Sequence, residues 1–328
     1  MTAEEIRRSG PSLTRSHTQP SPRVQYWPYP SMPPPSTTDD PPGAARSAVR
    51  ISNFFPDGGR STLVGMTTTA RSFWALGDYD RIAELVADLG TEVVAAADVG
   101  PGMRVLDVGA GTGNAALPAA AAGADVVATD ITPELLAVGE RRAREHGLTL
   151  HWEVADAQAL PFADGEFDAV LSCIGAMFAP DHAATARELL RVCRPGGTVA
   201  MANWTPDGGV GRFFRLLGRY GPAGPAIGPP PTAWGDPEYV GALLRGAEVR
   251  TEPRRVRLRF TGPPTEVTAY YRRHFPPVIA TFAGLDPDRA AALERELVEL
   301  YAAEDTGPAG GPSCYDLEYL LVRARLGE

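Results

Sequence analysis

Two kinds of hydrophobic periodicity alternate along most of this chain. Short apolar runs at residues 105–108, 124–130, about 148–154, 167–172 and 198–204 lack helical spacing and read as buried strands. Between them, apolar residues recur every three or four positions. Ile82, Leu85, Val86, Leu89 and Val93 share one face of a predicted helix. An alanine-rich helix from about Asn114 tolerates Pro118 because it lies near the start. Thr132-Pro133-Glu134 supplies a hydroxyl cap, a proline at the first helical position and an acid at the positive end of the dipole. Asp181 caps the next helix, and Arg194-Pro195-Gly196-Gly197 stops it. Beyond Trp204 the rhythm loosens: glycine and proline dominate residues 205–234, interrupted by a short helical patch with Phe213, Phe214, Leu216 and Leu217. Asp236 caps a helix running through Leu244. Closing strands follow over 249–260 and 315–323, with helices over about 265–274 and 288–302 between them.

Strand–helix alternation at this spacing predicts an α/β fold: a doubly wound, mostly parallel seven-stranded sheet with helices on both faces and a loop-rich insertion after strand five. Such sheets bind ligands outside the carboxyl ends of their strands, where the strand order reverses. Residues at strand ends are therefore the ones to weigh. Residues 1–65 differ in kind. Pro33-Pro34-Pro35 and Pro41-Pro42 sit in a Pro/Ser-rich stretch without sustained periodicity, which cannot bury enough apolar surface to offset the entropy of ordering. A disordered extension over 1–65 is expected ahead of one domain over 66–328, and Met66 is a second candidate start of translation.

Composition narrows the function classes. The net charge is −9, and all 31 basic residues are arginines without a clustered basic face, which argues against nucleic acid as a partner. Cys173, Cys193 and Cys314 lie far apart and form no C-x-x-C pair, so neither a disulfide scaffold nor a structural zinc site is expected. No run approaches the roughly 18 apolar residues of a membrane span. Arg7-Arg8 is followed by proline and serine rather than an apolar export segment, so the cytoplasm is the expected location.

The stretch that carries chemistry is Asp107-Val108-Gly109-Ala110-Gly111-Thr112-Gly113-Asn114, a strand running into a glycine turn that opens a helix. Glycine belongs where φ is positive and where backbone N–H groups must approach a ligand closely. The dinucleotide fingerprint G-x-G-x-x-G is missed, because its third glycine would fall at Asn114. A phosphate-cradling loop needs Gly-Lys-Ser/Thr, and the chain contains no lysine. The remaining pattern, acidic-x-G-x-G-x-G, resembles motif I of the class I S-adenosylmethionine (SAM) dependent methyltransferases. The resemblance extends from about Phe73 to Trp204. It includes Asp130 about 20 residues past the glycines, the run Asp156…Leu160-Pro161-Phe162…Phe167-Asp168, and Arg194-Pro195-Gly196-Gly197. Within the family it is nearest in pattern to ubiquinone-biosynthesis and natural-product enzymes, without the quinone enzymes' own signature.

The resemblance implies SAM as cofactor and assigns it a set of residues. Asp107, Gly109, Ala110, Gly111 and Gly113 would face its methionine end. Asp130 would accept the ribose hydroxyls, a role its spacing also favours. Ile131 would offer the adenine an apolar surface, and Asp156 with Ala157 would address the adenine amino group and ring. Cys173 would touch the cofactor through its backbone, its thiol inert. The helix before the first strand would form a lid carrying Trp74 and Tyr79; the alternative is that these aromatics only staple that helix to the core. Ser172-Cys173-Ile174-Gly175 lacks the Asn/Asp-Pro-Pro-Tyr/Phe box of DNA-base and glutamine methylating enzymes, and lacks the ligand Asp of the metal-dependent catechol type. No metal is expected.

Methyl transfer from a sulfonium is an in-line displacement in which the protein supplies alignment. A base is needed only where the acceptor must lose a proton. His182, just after strand four, and His274, with Tyr270 and Tyr271, are the candidates. The resulting expectation is a methyltransferase acting on a small, partly apolar acceptor, secondary-metabolite or quinone-like. The alternatives are a SAM-fold enzyme with a non-methyl reaction such as a cyclisation, and a non-catalytic ligand-binding module.

Overall fold

The computed structural model describes residues 70–221, 228–309 and 311–328, so the expected extension over 1–65 and the question of Met66 lie outside the described residues. A helical turn at 70–74 leads into α1 (Tyr79–Leu85) and α2 (Asp88–Ala96). Then β1 (Arg104–Val108), α3 (Ala116–Ala121), β2 (Asp125–Asp130), α4 (Pro133–Glu145), β3 (His151–Val154), β4 (Phe167–Cys173), α5 (His182–Val192) and β5 (Cys193–Trp204) alternate as anticipated. The remainder is α6 (Gly209–Tyr220), α7 (Pro237–Leu243), β6 (Ala247–Phe260), α8 (Pro264–His274), α9 (Pro276–Ala283), α10 (Pro287–Glu304) and β7 (Ser313–Leu326).

The seven strands form one sheet in the order β3-β2-β1-β4-β5-β7-β6. Strands β1 to β5 pair in parallel, and β7 runs antiparallel to both β5 and β6. Strand order reverses at β1, which lies between β2 and β4, so the crevice rule points to the carboxyl ends of β1 and β4. The core follows from the apolar runs: Val105, Leu106, Ala169, Val170, Leu171, Val199, Ala200 and Met201 are all sealed from solvent. A second apolar cluster joins Ile82 of α1 to Phe213, Leu216 and Leu217 of α6, Val278 of α9, and Leu293 and Leu297 of α10. It forms a helical cap built from both ends of the described chain. No helix among the described residues is long and apolar enough to cross a membrane.

Four local expectations are corrected. The single amphipathic helix after Tyr79 is two short ones, broken at Val86 (φ −123°) so that α2 can lie hard against the glycine turn, where a Cβ on Gly90 would collide with the Asn114 carbonyl. Its predicted apolar face survives the break, with Ile82, Val86, Leu89 and Val93 buried. Strand five starts at Cys193 rather than Thr198, because Cys193 pairs with Phe167 and the Arg194-Pro195-Gly196-Gly197 turn is absorbed as an irregularity in the ladder. The helical patch after Trp204 is a full helix, α6. Helix α9 was not anticipated: Pro276-Pro277 reads as a breaker, yet proline at the first helical positions starts a helix as readily as it ends one.

Candidate active site

At the crevice, two backbone turns meet almost face to face. Gly109 follows β1 with φ +66°, and a Cβ there would stand 2.8 Å from the Cα of Gly175, which follows β4. A Cβ on Gly175 would fall 2.3 Å from the Gly109 carbonyl oxygen. Neither position has room for a side chain, which is the structural reason for two of the glycines here. At Gly111, φ is +54° and the nearest obstacle to a Cβ would be Tyr79 Cε1, 3.9 Å away, so this part of the loop faces open space. Between the two turns Ile174 is held at φ +58°, a conformation that costs a β-branched residue energy, with its N–H donating to the Ala202 carbonyl (3.0 Å).

The open space is a cavity of about 310 Å³. Its floor is Gly109, Ala110, Gly111 and Thr112; one wall is Asp130, Ile131, Asp156, Ala157 and Gln158; the other is Cys173, Ile174, Gly175 and Phe178; Trp74, Tyr79 and Ala83 lie across it. Ten of the residues expected to bind a cofactor are thus brought together: Trp74, Tyr79, Gly109, Ala110, Gly111, Asp130, Ile131, Asp156, Ala157 and Cys173. Gly113 is not in the lining. Its positive φ (+96°) turns the chain into α3, and a Cβ there would press Leu117 and Trp152 at 3.1 Å. Asp107 lies beneath the floor, 1% exposed.

Each acid is placed by its strand end. Asp130 Oδ2 accepts the Gly111 N–H (2.9 Å) and Oδ1 the Thr132 N–H (2.8 Å), which locks the glycine loop to the end of β2. Burial pushes the Asp130 carboxyl up from the usual range, and those N–H groups oppose it. Asp156 Oδ1 accepts from the backbone and side-chain amides of Gln158 (2.9 and 3.0 Å), while Gln158 Oε1 accepts the Asp181 N–H at 2.9 Å. Asp107 is the exception. Neither of its oxygens has a partner in good hydrogen-bond geometry among the described residues; burial raises its pKa to about 7, the nearby but poorly aligned Ala116 backbone N–H acts the other way, and the Asp130 charge adds to the rise.

The aromatic side is equally ordered. Trp74 packs edge-on to Phe178 (4.8 Å between ring centres) and to Tyr79 (5.6 Å), and Phe178 meets Phe214 of α6 at 5.9 Å. The turn before α1 is pinned to α8: the Asp78 N–H donates to the His274 carbonyl (3.3 Å), and Gly77, at φ +66°, leaves no room for a Cβ beside it. Burial pushes the Cys173 thiol up, with the Asp107 charge adding to it, as fits an inert side chain.

Neither histidine reaches the cavity. Asp181, the extended N-cap of α5, faces it, and His182, the first residue of the helix, is not in the lining: its ring is buried against Trp234 (5.5 Å between centres), with Nδ1 3.0 Å from Tyr239 Oη. Burial lowers its pKa. His274 is absent from the lining as well. Its ring lies on Tyr270 (4.7 Å), its pKa is also lowered by burial, and its backbone carbonyl rather than its ring serves the site. Phe178, Gln158 and Ile174 are the wall residues that periodicity missed. Gly175, two residues past the end of a buried strand, was the available signal for that turn.

Comparison with known proteins agrees with this geometry. Residues 105–197 match the family model described as a methyltransferase domain. The chain is 48% identical over 264 residues to Rv1405c, an uncharacterized protein of Mycobacterium tuberculosis, covering 79% of this chain and 94% of that one. A demethylmenaquinone methyltransferase of Renibacterium salmoninarum is 43% identical over 113 residues, which is 34% of this chain and 46% of that enzyme. The YcgJ protein of Bacillus subtilis shares the fold, with a TM-score of 0.50 at 19% identity over 73% of this chain and 98% of that one. The chain belongs to the class I SAM-dependent methyltransferases. Its cofactor is SAM, and the residues present fit such a group: the glycine floor admits close backbone contact, Asp130 and Asp156 line the cavity and would hold the nucleoside end, and Asp107, buried beneath the floor with both oxygens lacking a well-aligned hydrogen-bond partner among the described residues, would favour a cation above it.

Proposed function

We propose that the protein transfers the methyl group of SAM to a small, partly apolar acceptor without a metal ion. The observation that carries this reading is the division of the cavity: acids and glycines line the side fixed by β1, β2 and β3, and Trp74, Tyr79, Ile174 and Phe178 line the other. When bound, SAM supplies an activated methyl group, so the protein's task is alignment and exclusion of water. Asp130 and Asp156, at the ends of adjacent strands, hold the nucleoside end in place. Asp107 would take its charged form opposite an ammonium group, because a positive partner lowers a carboxyl pKa that burial has raised. Trp74 and Tyr79 close the cavity from the lid side and present rings rather than charges to an acceptor. With both histidines off the cavity, no side-chain base is assigned, and alignment is the whole of the proposed catalysis.

The test uses SAM carrying a labelled methyl group, incubated with the purified protein and a fractionated extract of small molecules. Label appearing in an extractable, partly apolar product supports the proposal. Binding of SAM and S-adenosylhomocysteine without label transfer to any fraction would favour a non-methyl reaction on the same fold. Absence of binding to either would leave a ligand-binding module that has lost its cofactor.

A further inference from the structure

Helix α4 carries a charge where its own periodicity calls for an apolar residue. Its buried face is Leu135, Leu136, Gly139, Arg142 and Ala143, so Arg142 points inward with its side chain only 10% exposed. Its Nη2 lies between two carboxylates, 2.8 Å from Asp80 Oδ1 and 2.7 Å from Glu84 Oε1, and its Nη1 is 3.4 Å from the Thr112 hydroxyl. Asp80 and Glu84 stand four residues apart, one above the other on α1, the helix that opens with Tyr79. Thr112 lies in the glycine loop and lines the cavity, as do Tyr79 and Ala83 on the lid. One turn before Arg142, a Cβ on Gly139 would stand 3.2 Å from the Thr112 carbonyl carbon, so α4 approaches the loop closely enough for the guanidinium to reach both elements.

We propose that Arg142 is a positioning residue for the cofactor: one buried guanidinium clamps the lid helix onto the glycine loop and so sets how long SAM stays bound. The inference rests on the assignment of SAM to this cavity. Arg142 does not line the cavity and acts through Thr112 and the lid. Arg142 is the base in direct contact with both acids, whose side chains are 22% and 26% exposed, so without it two half-buried carboxylates would repel each other across a space that water screens only in part. The escape route is local. α1 is 7 residues long and has only Ile82 and Ala83 fully buried, whereas the sheet core is sealed elsewhere. Swinging α1 toward solvent rehydrates both acids and uncovers the cofactor, with β1 to β5 left intact.

The experiment uses the full chain and S-adenosylhomocysteine as probe. Calorimetry on the unaltered protein comes first, and its failure to bind would overturn the cofactor assignment rather than the clamp. In Arg142→Met, binding should weaken about 10- to 100-fold, chiefly through faster dissociation in stopped-flow fluorescence. Amides of residues 79–85 should exchange faster in the ligand-free protein while those of β1 and β4 keep their protection. Neutralising the acids as well, in Arg142→Met/Asp80→Asn/Glu84→Gln, should recover roughly fivefold or more of the lost affinity, which a merely structural arginine would not predict. If Arg142→Met does not fold, Arg142→Lys keeps the charge but not the fork, and should release the probe about 3- to 10-fold faster. Affinity and dissociation within about twofold of the unaltered protein in whichever variant folds would overturn the proposal.

Discussion

The two walls of the cavity are built on opposite plans. The cofactor wall is made of strand ends and backbone turns: the Gly109 turn, braced from across the crevice by Gly175, the Gly111 N–H on Asp130, and Asp156 held by Gln158. Its contacts are short and directional, and its residues lie within one segment of the chain. The aromatic wall and the cap behind it are made of side chains drawn from distant segments, with Phe178 on Phe214, Phe213 on Phe275 and Tyr271 on Tyr301. Such packing tolerates exchange of one ring for another, whereas two backbones in contact tolerate nothing added. Under the proposed function, the cofactor would be held by backbone turns and strand-end acids, and the acceptor would be chosen by rings that can be replaced one for another.

The largest effect is expected where the backbone plan is broken. Gly109→Ala places a Cβ 2.8 Å from Gly175 and forces a positive φ on alanine, which alone costs about 1–2 kcal/mol. The β1 and β4 turns must separate, and S-adenosylhomocysteine affinity should fall by roughly 100-fold or more, with a lowered melting temperature. Calorimetry and thermal melting check this. Retained affinity would mean that close approach of the two turns is not what shapes the floor.

Asp107→Asn sharpens the same comparison by separating stability from binding. In the folded chain the Asp107 pKa is raised to about 7, so as pH rises from the unfolded value near 4 the unfolded state loses a proton that the native state keeps. This group's ionisation therefore erodes stability between about pH 4 and 7, by a few kcal/mol in total, and the loss levels off above that window. An amide in place of the carboxyl cannot ionise, so the substitution removes the penalty. The ligand-free variant should melt above the unaltered protein at pH 8 and level with it near pH 4, while its affinity for the cofactor falls about 10- to 100-fold. A variant that melts lower at pH 8 would show that Asp107 is a structural acid and not one kept in reserve for a cation.

The same division explains what the sequence disclosed. The positions of Gly109, Asp130 and Asp156 around the cavity were legible because the motifs of the resembling family sit at strand ends, and the spacing of Asp130 pointed the same way; Asp107, from the same motif as Gly109, lies beneath the floor instead. Phe178 was not, because it gains its role from Trp74 and Phe214, which no local period connects to it. His182 misled for a related reason. Proximity in sequence to the end of β4 put it near the cavity, but the chain turns from the extended cap Asp181 into α5 at this point, and the His182 ring packs on Trp234 and Tyr239 instead. Helix α9 hid behind its own prolines, and the break between α1 and α2 is imposed by contact with Asn114 rather than by any breaker residue.

Trp74→Ala tests the aromatic wall and should do less. It removes the ring that touches both Tyr79 and Phe178, without touching a backbone turn. With an acceptor found by label transfer, its KM should rise about 5- to 20-fold, with cofactor affinity within about threefold of the unaltered protein. An equal loss of both would mean that the ring serves the cofactor, and the division of the cavity would fail.

The smallest effect on turnover is expected at His182, and the reason is its surroundings. The residue is 4% exposed, faces Trp234 and Tyr239, and leaves the cavity lining to Asp181. His182→Ala removes buried ring area and the partner of Tyr239 Oη, which should cost about 1–3 kcal/mol of stability. Its folded pKa is lowered by burial, so the unfolded chain takes up a proton as pH falls below about 6.5 and the native one does not. That contribution is fully present above this pH and is lost as pH falls through the folded value; His274, lowered in the same direction, adds to it. The variant should therefore melt lower at pH 8, and the gap should narrow toward pH 5. Turnover well below the melting range should stay within about threefold, whereas a base in contact with the acceptor would cost about 10² to 10⁴. A loss on that scale, at unaltered cofactor affinity, would bring His182 to the acceptor by a movement of α5 and make the aromatic wall a catalytic one.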